Sequence, residues 1–353
     1  MYLSRQRQQA LLASGAPGGA MSASTFQVEL TGFDREMTRR ATWASASRPA
    51  ILSTWTTTVP KELVHRAAVA EVMLTDWERQ DDTHFTVTAQ WPRSHSFFIP
   101  VHGTHHDPLM AVETFRQVGA LLGHAEFGVP FGHQFLMRDL SIAVRPEQLV
   151  VGSAPASIDI EVTCTDVRRR GSRLTGLRYE AALRRDGELA ATAAASYTCI
   201  APTVYERLRG DRALSGEERH LPLTAPAAPQ SVGRVSPMDV VLSPTDQPNR
   251  WFLRADTRHP VLFDHPVDHV PGMALLEAAR QAASAVLGPS AFLPLGMDST
   301  FERYAELDAP CVIEARTLPR EAVPEGREAV VVTGHQNGSP VFSSTVSAAP
   351  YDV

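Results

Sequence analysis

The chain has 353 residues, is 43% hydrophobic and 20% charged, and carries a formal net charge of −6, which suits a soluble globular protein of about two domains. The acid excess argues against a nucleic-acid binder, and no apolar run approaches the roughly 20 residues that span a bilayer. Three scattered cysteines, Cys164, Cys199 and Cys311, lack metal or redox spacing and fit reduced thiols in a cytoplasmic protein.

Residues 1–24 are polar, small and Gly-rich, and their LLA is too short for the apolar core of a signal peptide, so a disordered tail is expected. An N-terminal domain is expected over 25–202. In it VHRAAVAEVMLT (64–75) runs into a strand, and HDPLMAVETFRQVGALLG forms a turn and an apolar helix. RLTGLRYEAAL and LAATAAASYTCIA then read as two strands joined at Asp186-Gly187. Residues 203–230, rich in Pro, Ala and charge, read as a linker. A C-terminal domain is expected over 231–353, where AVVVTGH and VFSSTVSA read as strands joined at Asn337-Gly338.

The second half repeats the first. Glu277, Arg280 and Gln281 fall 164 residues after Glu113, Arg116 and Gln117, within helices reading GMALLEAARQAASAVLG and LMAVETFRQVGALLG. VGRVSPMDVVLS (232–243) matches VHRAAVAEVMLT, pairing Arg234 with Arg66 and Asp239 with Glu71, and Arg258-His259 resembles Arg93-Ser94-His95. One apolar helix wrapped by antiparallel strands, present twice, predicts an α+β chain of tandem hot-dog architecture. In that arrangement a helix can be apolar all round, because the sheet covers one side and the other half the opposite one.

The charged residues of the two helices share one face at i,i+3 and i,i+4. Ahead of each lies a turn, His106-Asp107-Pro108 in one half and His269-Val270-Pro271-Gly272-Met273 in the other. A helix N-terminus offers unpaired N–H groups to a carbonyl oxygen that gains negative charge. A buried Glu one turn inside, its pKa raised by desolvation, suits proton transfer, and an Arg beside it suits a phosphate. Buried Glu–Arg pairs inherited from one ancestral unit and joining the halves are the plainer reading of the same residues. His102, His105 and His106 fit no zinc spacing, so no metal is expected. Arginines 168, 169, 170, 173 and 178 read as a solvated strand edge, or as a patch for an acidic carrier protein. No GxSxG elbow, Walker loop or dinucleotide fingerprint appears, so no cofactor and no acyl-enzyme are expected.

PGMALLEAARQ resembles the helix start of hot-dog β-hydroxyacyl-ACP dehydratases, in which a Glu at the position of Glu277 is catalytic. The chain departs from them in its loop, Phe263-Asp264-His265-Pro266 in place of His-Phe-Pro-Gly. VPKELVHRAAVAEVMLTDW, HDPLMAVETFRQ, GVPFGHQFLM and FDHPVDHVPGMALLEAARQAA are similar, in the same order, to segments of the A-factor-synthase family, actinobacterial enzymes for γ-butyrolactone signals. The resemblance covers residues from about 50 to 345. It implies a tandem hot-dog acyltransferase that joins a β-ketoacyl group, delivered on an acyl carrier protein, to the hydroxyl of dihydroxyacetone phosphate. Glu277 and Arg280 match the family's functional C-terminal pair, and Glu113 with Arg116 its N-terminal counterpart. On this reading Glu277 is the general base, the amides near Gly272 and Met273 hold the oxyanion, and Arg280 binds phosphate. His106, Asp107, His269, Gln117 and Gln281 line the substrate site. Glu277→Gln should then lose most turnover while the fold survives. A hot-dog hydratase or thioesterase, or a non-catalytic lactone-binding protein, are the alternatives, and homo-oligomers are possible.

Overall fold

Two pseudo-equivalent halves build one antiparallel sheet. The computed structural model describes residues 57–212, 221–288 and 292–350; the expected tail and the start of the expected N-terminal domain lie outside them. The first half contains β1 (Leu74–Arg79), β2 (His84–Trp91), α1 (Pro108–Ala125), β3 (Gln134–Val144), β4 (Ala156–Arg170), β5 (Arg173–Arg185) and β6 (Glu188–Ile200). A short helix, α2 (Pro202–Arg209), occupies the start of the segment read as a linker. The second half repeats the order with β7 (Leu242–Pro244), β8 (Arg250–Leu253), α3 (Gly272–Leu287), β9 (Phe292–Phe301), β10 (Cys311–Thr317), β11 (Glu328–Gln336) and β12 (Ser339–Pro350).

The twelve strands lie in the order β1-β2-β4-β5-β6-β3-β9-β12-β11-β10-β8-β7, so the same pattern runs inward from either edge and meets at β3 and β9. That seam pairs Asp139 with Thr300 through Ala143 with Gly296. A side chain at Gly296 would put its Cβ 2.9 Å from the Ile142 carbonyl oxygen, so glycine permits the close approach. The hairpin turns fall where the dipeptides placed them. Asp186 and Gly187 have φ of 52° and 83°, and Asn337 and Gly338 have 53° and 73°, the positive pair that a two-residue hairpin turn requires.

Along β4 the residues alternate, with Ala156, Ile158, Ile160, Val162 and Cys164 buried and Asp159 and Glu161 exposed. The buried face packs on the helices. In α1, Phe115 stacks on Tyr179 of β5 at 4.5 Å, and Phe115, Leu121 and Leu122 are fully buried, each contributing about 1.5–3 kcal/mol. In α3, Ala274, Ala278, Ala279, Ala282 and Ala283 are all buried; small side chains let its backbone lie close to the sheet. This is the expected α+β tandem hot-dog fold. No helix among the described residues is long and apolar enough to cross a membrane.

Candidate active site

Each helix carries a buried carboxylate held by two arginines, and one arginine of each pair comes from outside the helix. A 3-10 turn at Lys61–Val64 ends at His65 with φ of 54°, and its counterpart Pro229–Val232 ends at Gly233 with φ of 68°. These left-handed ends turn the chain so that Arg66 and Arg234 reach the helices. At Gly233 a Cβ would lie 2.8 Å from the Ser284 hydroxyl oxygen, so glycine fits there without moving that side chain.

In the first half, Glu113 Oε1 accepts from Arg66 Nε at 2.9 Å, Arg116 Nη2 at 2.7 Å and Gln117 Nε2 at 2.7 Å, while Oε2 accepts from Arg116 Nε at 2.9 Å. In the second half, Arg234 donates to both oxygens of Glu277 at 2.8 and 2.7 Å, Arg280 donates to both at 2.8 and 2.9 Å, and Gln281 Nε2 donates to Oε1. Each Gln also ties its helix to the chain before the first strand: Gln117 accepts from the Met73 N–H and Gln281 from the Val241 N–H. The arginines reach across the halves too. Arg66 Nη1 donates to the Val261 carbonyl and Arg234 Nη1 to the Phe97 carbonyl. Those carbonyls sit in loops fixed by His259 and His95, whose Nδ1 atoms accept two backbone N–H groups apiece.

Burial works against ionising Glu277, but Arg234 and Arg280 outweigh it and hold its pKa at about 2; Arg116 and Arg66 do the same for Glu113. The expectation of a desolvation-raised pKa is therefore corrected, since two arginines on each carboxylate, one of them not assigned to the site from the sequence, outweigh burial. A carboxylate this acidic, fully buried and with both oxygens occupied, is a poor proton acceptor.

The helix N-termini separate the two nests. Asp107 caps α1 by accepting from the Leu109 N–H at 2.9 Å, and Pro108 removes the preceding donor. Asp107 lies 3.5 Å from Arg234, and burial raises its pKa despite that arginine. α3 instead starts after Pro271, with no side-chain cap. The Ala274 and Leu275 N–H groups bond to the Pro271 carbonyl, and no described group accepts from the N–H of Gly272 or Met273.

Gly272 and Met273 line a cavity of about 230 Å³ together with Arg66, Arg116, Asp264 and His265; Glu277 is not among its walls. The sequence reading put the α3 amides and Glu277 to work on one carbonyl, and the fold does not bring them together. Crossing of the halves sets the open amides of α3 beside the Glu113 nest. Arg280 instead lines a smaller cavity of about 190 Å³ with Asp107 and Arg234. The Arg116 side chain is 21% exposed and that of Arg280 only 4%. Arg116 also keeps Nη1 without a described partner.

His269 lines the larger cavity, with Nδ1 2.7 Å from Asp268 Oδ1. His106 lines neither; it is buried edge-on to Trp91 at 5.6 Å, and burial lowers its pKa to about 4. Among the described residues no His, Cys, Asp or Glu group forms a metal-ligand cluster. Arg66 and Arg234 were missed as site residues, although the internal repeat pairs them.

The model of the A-factor biosynthesis hotdog domain matches residues 49–201 and 216–352. A 2-oxo-3-(phosphooxy)propyl 3-oxoalkanoate synthase from Streptomyces virginiae is 58% identical over 82% of this chain and 97% of its own length. The synthase of the same name from Streptomyces coelicolor is 45% identical over 83% of this chain and 92% of its own. An acyl-ACP thioesterase structure from Bacteroides thetaiotaomicron aligns at 14% identity over 74% of this chain and 97% of its own, with a TM-score of 0.47. Two matched repeats that together span most of the chain place it in the A-factor biosynthesis hotdog family.

Proposed function

We propose that the chain is an acyltransferase. It joins the β-ketoacyl group of an acyl-carrier-protein thioester to the hydroxyl of dihydroxyacetone phosphate, giving a 2-oxo-3-(phosphooxy)propyl 3-oxoalkanoate, the precursor of a γ-butyrolactone-type signal. One observation carries this reading. The uncapped start of α3 and the free Nη1 of Arg116 meet in a single cavity with apolar walls that include Leu136, Met137, Leu140, Val267 and Leu276.

The reaction needs a slot for the acyl chain, donors for the carbonyl oxygen and a cation for the phosphate. The apolar walls take the chain. The N–H groups of Gly272 and Met273 receive the oxyanion, as fixed donors aimed where negative charge develops. Arg116 holds the phosphate, and Glu113 holds Arg116: the ion pair fixes the guanidinium plane and leaves Nη1 pointing away from it. Glu277, Arg234 and Arg280 form the equivalent nest in the closed half, where they brace the Phe97 loop and the start of α1.

Mass spectrometry of purified protein with β-ketoacyl thioesters, with and without dihydroxyacetone phosphate, tests the reading. Ester appears only with the phosphorylated substrate if the proposal holds. Free acid released without it identifies a thioesterase instead. Arg116→Lys should raise KM for dihydroxyacetone phosphate by about 10-fold or more with little effect on the thioester, because a point charge replaces the planar fork.

A further inference from the structure

With both glutamates saturated, no proton acceptor has been assigned for the hydroxyl that attacks. Next to the 230 Å³ cavity runs a larger groove of about 580 Å³, lined by Arg138, Glu302, Tyr304 and Glu306 among others. The two share Phe135, Leu136, Met137, His269, Gly272 and Phe301. An acyl chain in the inner cavity and a carrier arm in the groove would put the thioester carbon at this junction. His269 is the one titratable side chain common to both linings.

His269 is also built to accept a proton. Its Nδ1 lies 2.7 Å from Asp268 Oδ1, a carboxylate acceptor that selects the tautomer with the proton on Nδ1, and no described group is bonded to Nε2. Asp268 is fixed in turn by α2: Tyr205 Oη donates to it at 2.6 Å, and Arg209 donates to its Oδ2 at 3.0 Å and to its backbone carbonyl at 2.9 Å. Arg209 also clamps Glu306 and lies over the Tyr304 ring at 4.3 Å. Tyr304 packs edge-on against the imidazole at 4.7 Å. A helix from the linker thus positions a Tyr–Asp–His chain three residues before the open amide of Gly272.

The other titratable groups of the inner cavity are already engaged. His65 Nε2 is 2.7 Å from His124 Nε2, and burial with Arg116 nearby lowers its pKa to about 3. Asp264 accepts from the Ala67 N–H and pairs with His265. Tyr179 and Tyr197 donate to the carbonyls of Phe115 and Gly119. His265 lines the inner cavity but not the groove.

We infer that His269 is the general base and acid of the acyl transfer, oriented by Asp268 with Tyr205 and Arg209. The inference rests on the acyltransferase reading above. The hydroxyl oxygen of dihydroxyacetone phosphate bonds to the thioester carbon as its proton passes to Nε2. The carbonyl electron pair moves to oxygen, against the amides of Gly272 and Met273. Collapse of that intermediate breaks the C–S bond, and Nε2 returns the proton to the departing thiolate. The products are the ester and the free carrier thiol.

The test uses the full chain with 3-oxooctanoyl-N-acetylcysteamine and dihydroxyacetone phosphate, following ester by mass spectrometry. His269→Asn can still donate to Asp268 but has no basic nitrogen; kcat should fall about 10²–10⁴-fold with KM for dihydroxyacetone phosphate little changed. His84→Asn, at an exposed His–Asp pair outside both cavities, should keep kcat within about 3-fold of the wild type. Wild-type kcat in His269→Asn, or an equal loss in His84→Asn, overturns the assignment. Should His269→Asn fail to fold, judged by circular dichroism and melting, Asp268→Asn carries the test. It perturbs the tautomer, so a lower kcat at constant KM supports the role and an unchanged kcat overturns it. If the wild type makes no ester, the acyl-transfer reading itself is the one that fails.

Discussion

The two carboxylate nests are near copies in bonding and differ in what stands beside them. Glu113 and Glu277 each collect two arginines and a glutamine, and each is held near a pKa of 2. Yet α1 begins Asp107-Pro108, which spends its first donors on its own cap, while α3 begins Pro271-Gly272 and leaves two amides open. Because the halves cross, the open end belongs to the cavity of Arg116 and the capped end to that of Arg280. A duplicated framework has thus kept its supporting ion network twice and an open, donor-rich pocket once. What distinguishes the pockets is the residue before each helix, not the acid inside it.

The sharpest way to break this comparison is to neutralise the closed nest. Glu277→Gln leaves Arg234 and Arg280 facing each other without their anion, so it should cost about 3–5 kcal/mol of stability, read as a lower urea midpoint. The sequence reading had this variant folding normally. Wild-type stability with lost turnover would return Glu277 to the role of base.

Acid should unfold both nests together. Each folded carboxyl sits below its unfolded value of 4.5, so the unfolded chain binds more protons between about pH 5 and pH 2 and stability falls as pH drops through that window. The contribution is roughly 3 kcal/mol per carboxylate. Asp107, whose pKa is raised by burial, works in the opposite sense. Urea midpoints between pH 6 and pH 3 measure the sum, and Glu277→Gln should show a visibly flatter acid limb.

Gly272→Pro makes the start of α3 like that of α1. Proline fits the first helical position, so stability should hold, while kcat falls about 10²-fold for one lost oxyanion donor. Equal kcat would move the oxyanion site elsewhere. The smallest change is expected for Asp107→Asn. It keeps the α1 cap in a place where burial already disfavours charge, so stability should shift by less than about 1 kcal/mol and ester formation hardly at all.

Much of this was readable residue by residue. The Glu-x-x-Arg-Gln spacing announced one helix face, Asp186-Gly187 and Asn337-Gly338 announced hairpins, and the offset repeat announced two like halves. Arg66 and Arg234 were matched by that repeat but not assigned to the glutamates, because 47 and 43 residues separate them from Glu113 and Glu277. The Tyr205–Asp268–His269 chain was hidden for a like reason, since its tyrosine lies in a stretch whose composition reads as linker.

The sequence by itself determined the repeated unit, the two buried helices, the turns and the family resemblance, since these depend on spacings of a few residues or on patterns along the chain. Only the tertiary structure decided which amides meet which arginine, that the glutamates are saturated, and that a histidine stands where two cavities join. Those contacts link segments from different halves, where Arg66 touches a carbonyl 195 residues away. No local propensity records a pairing of that range; the packing of one half across the other does.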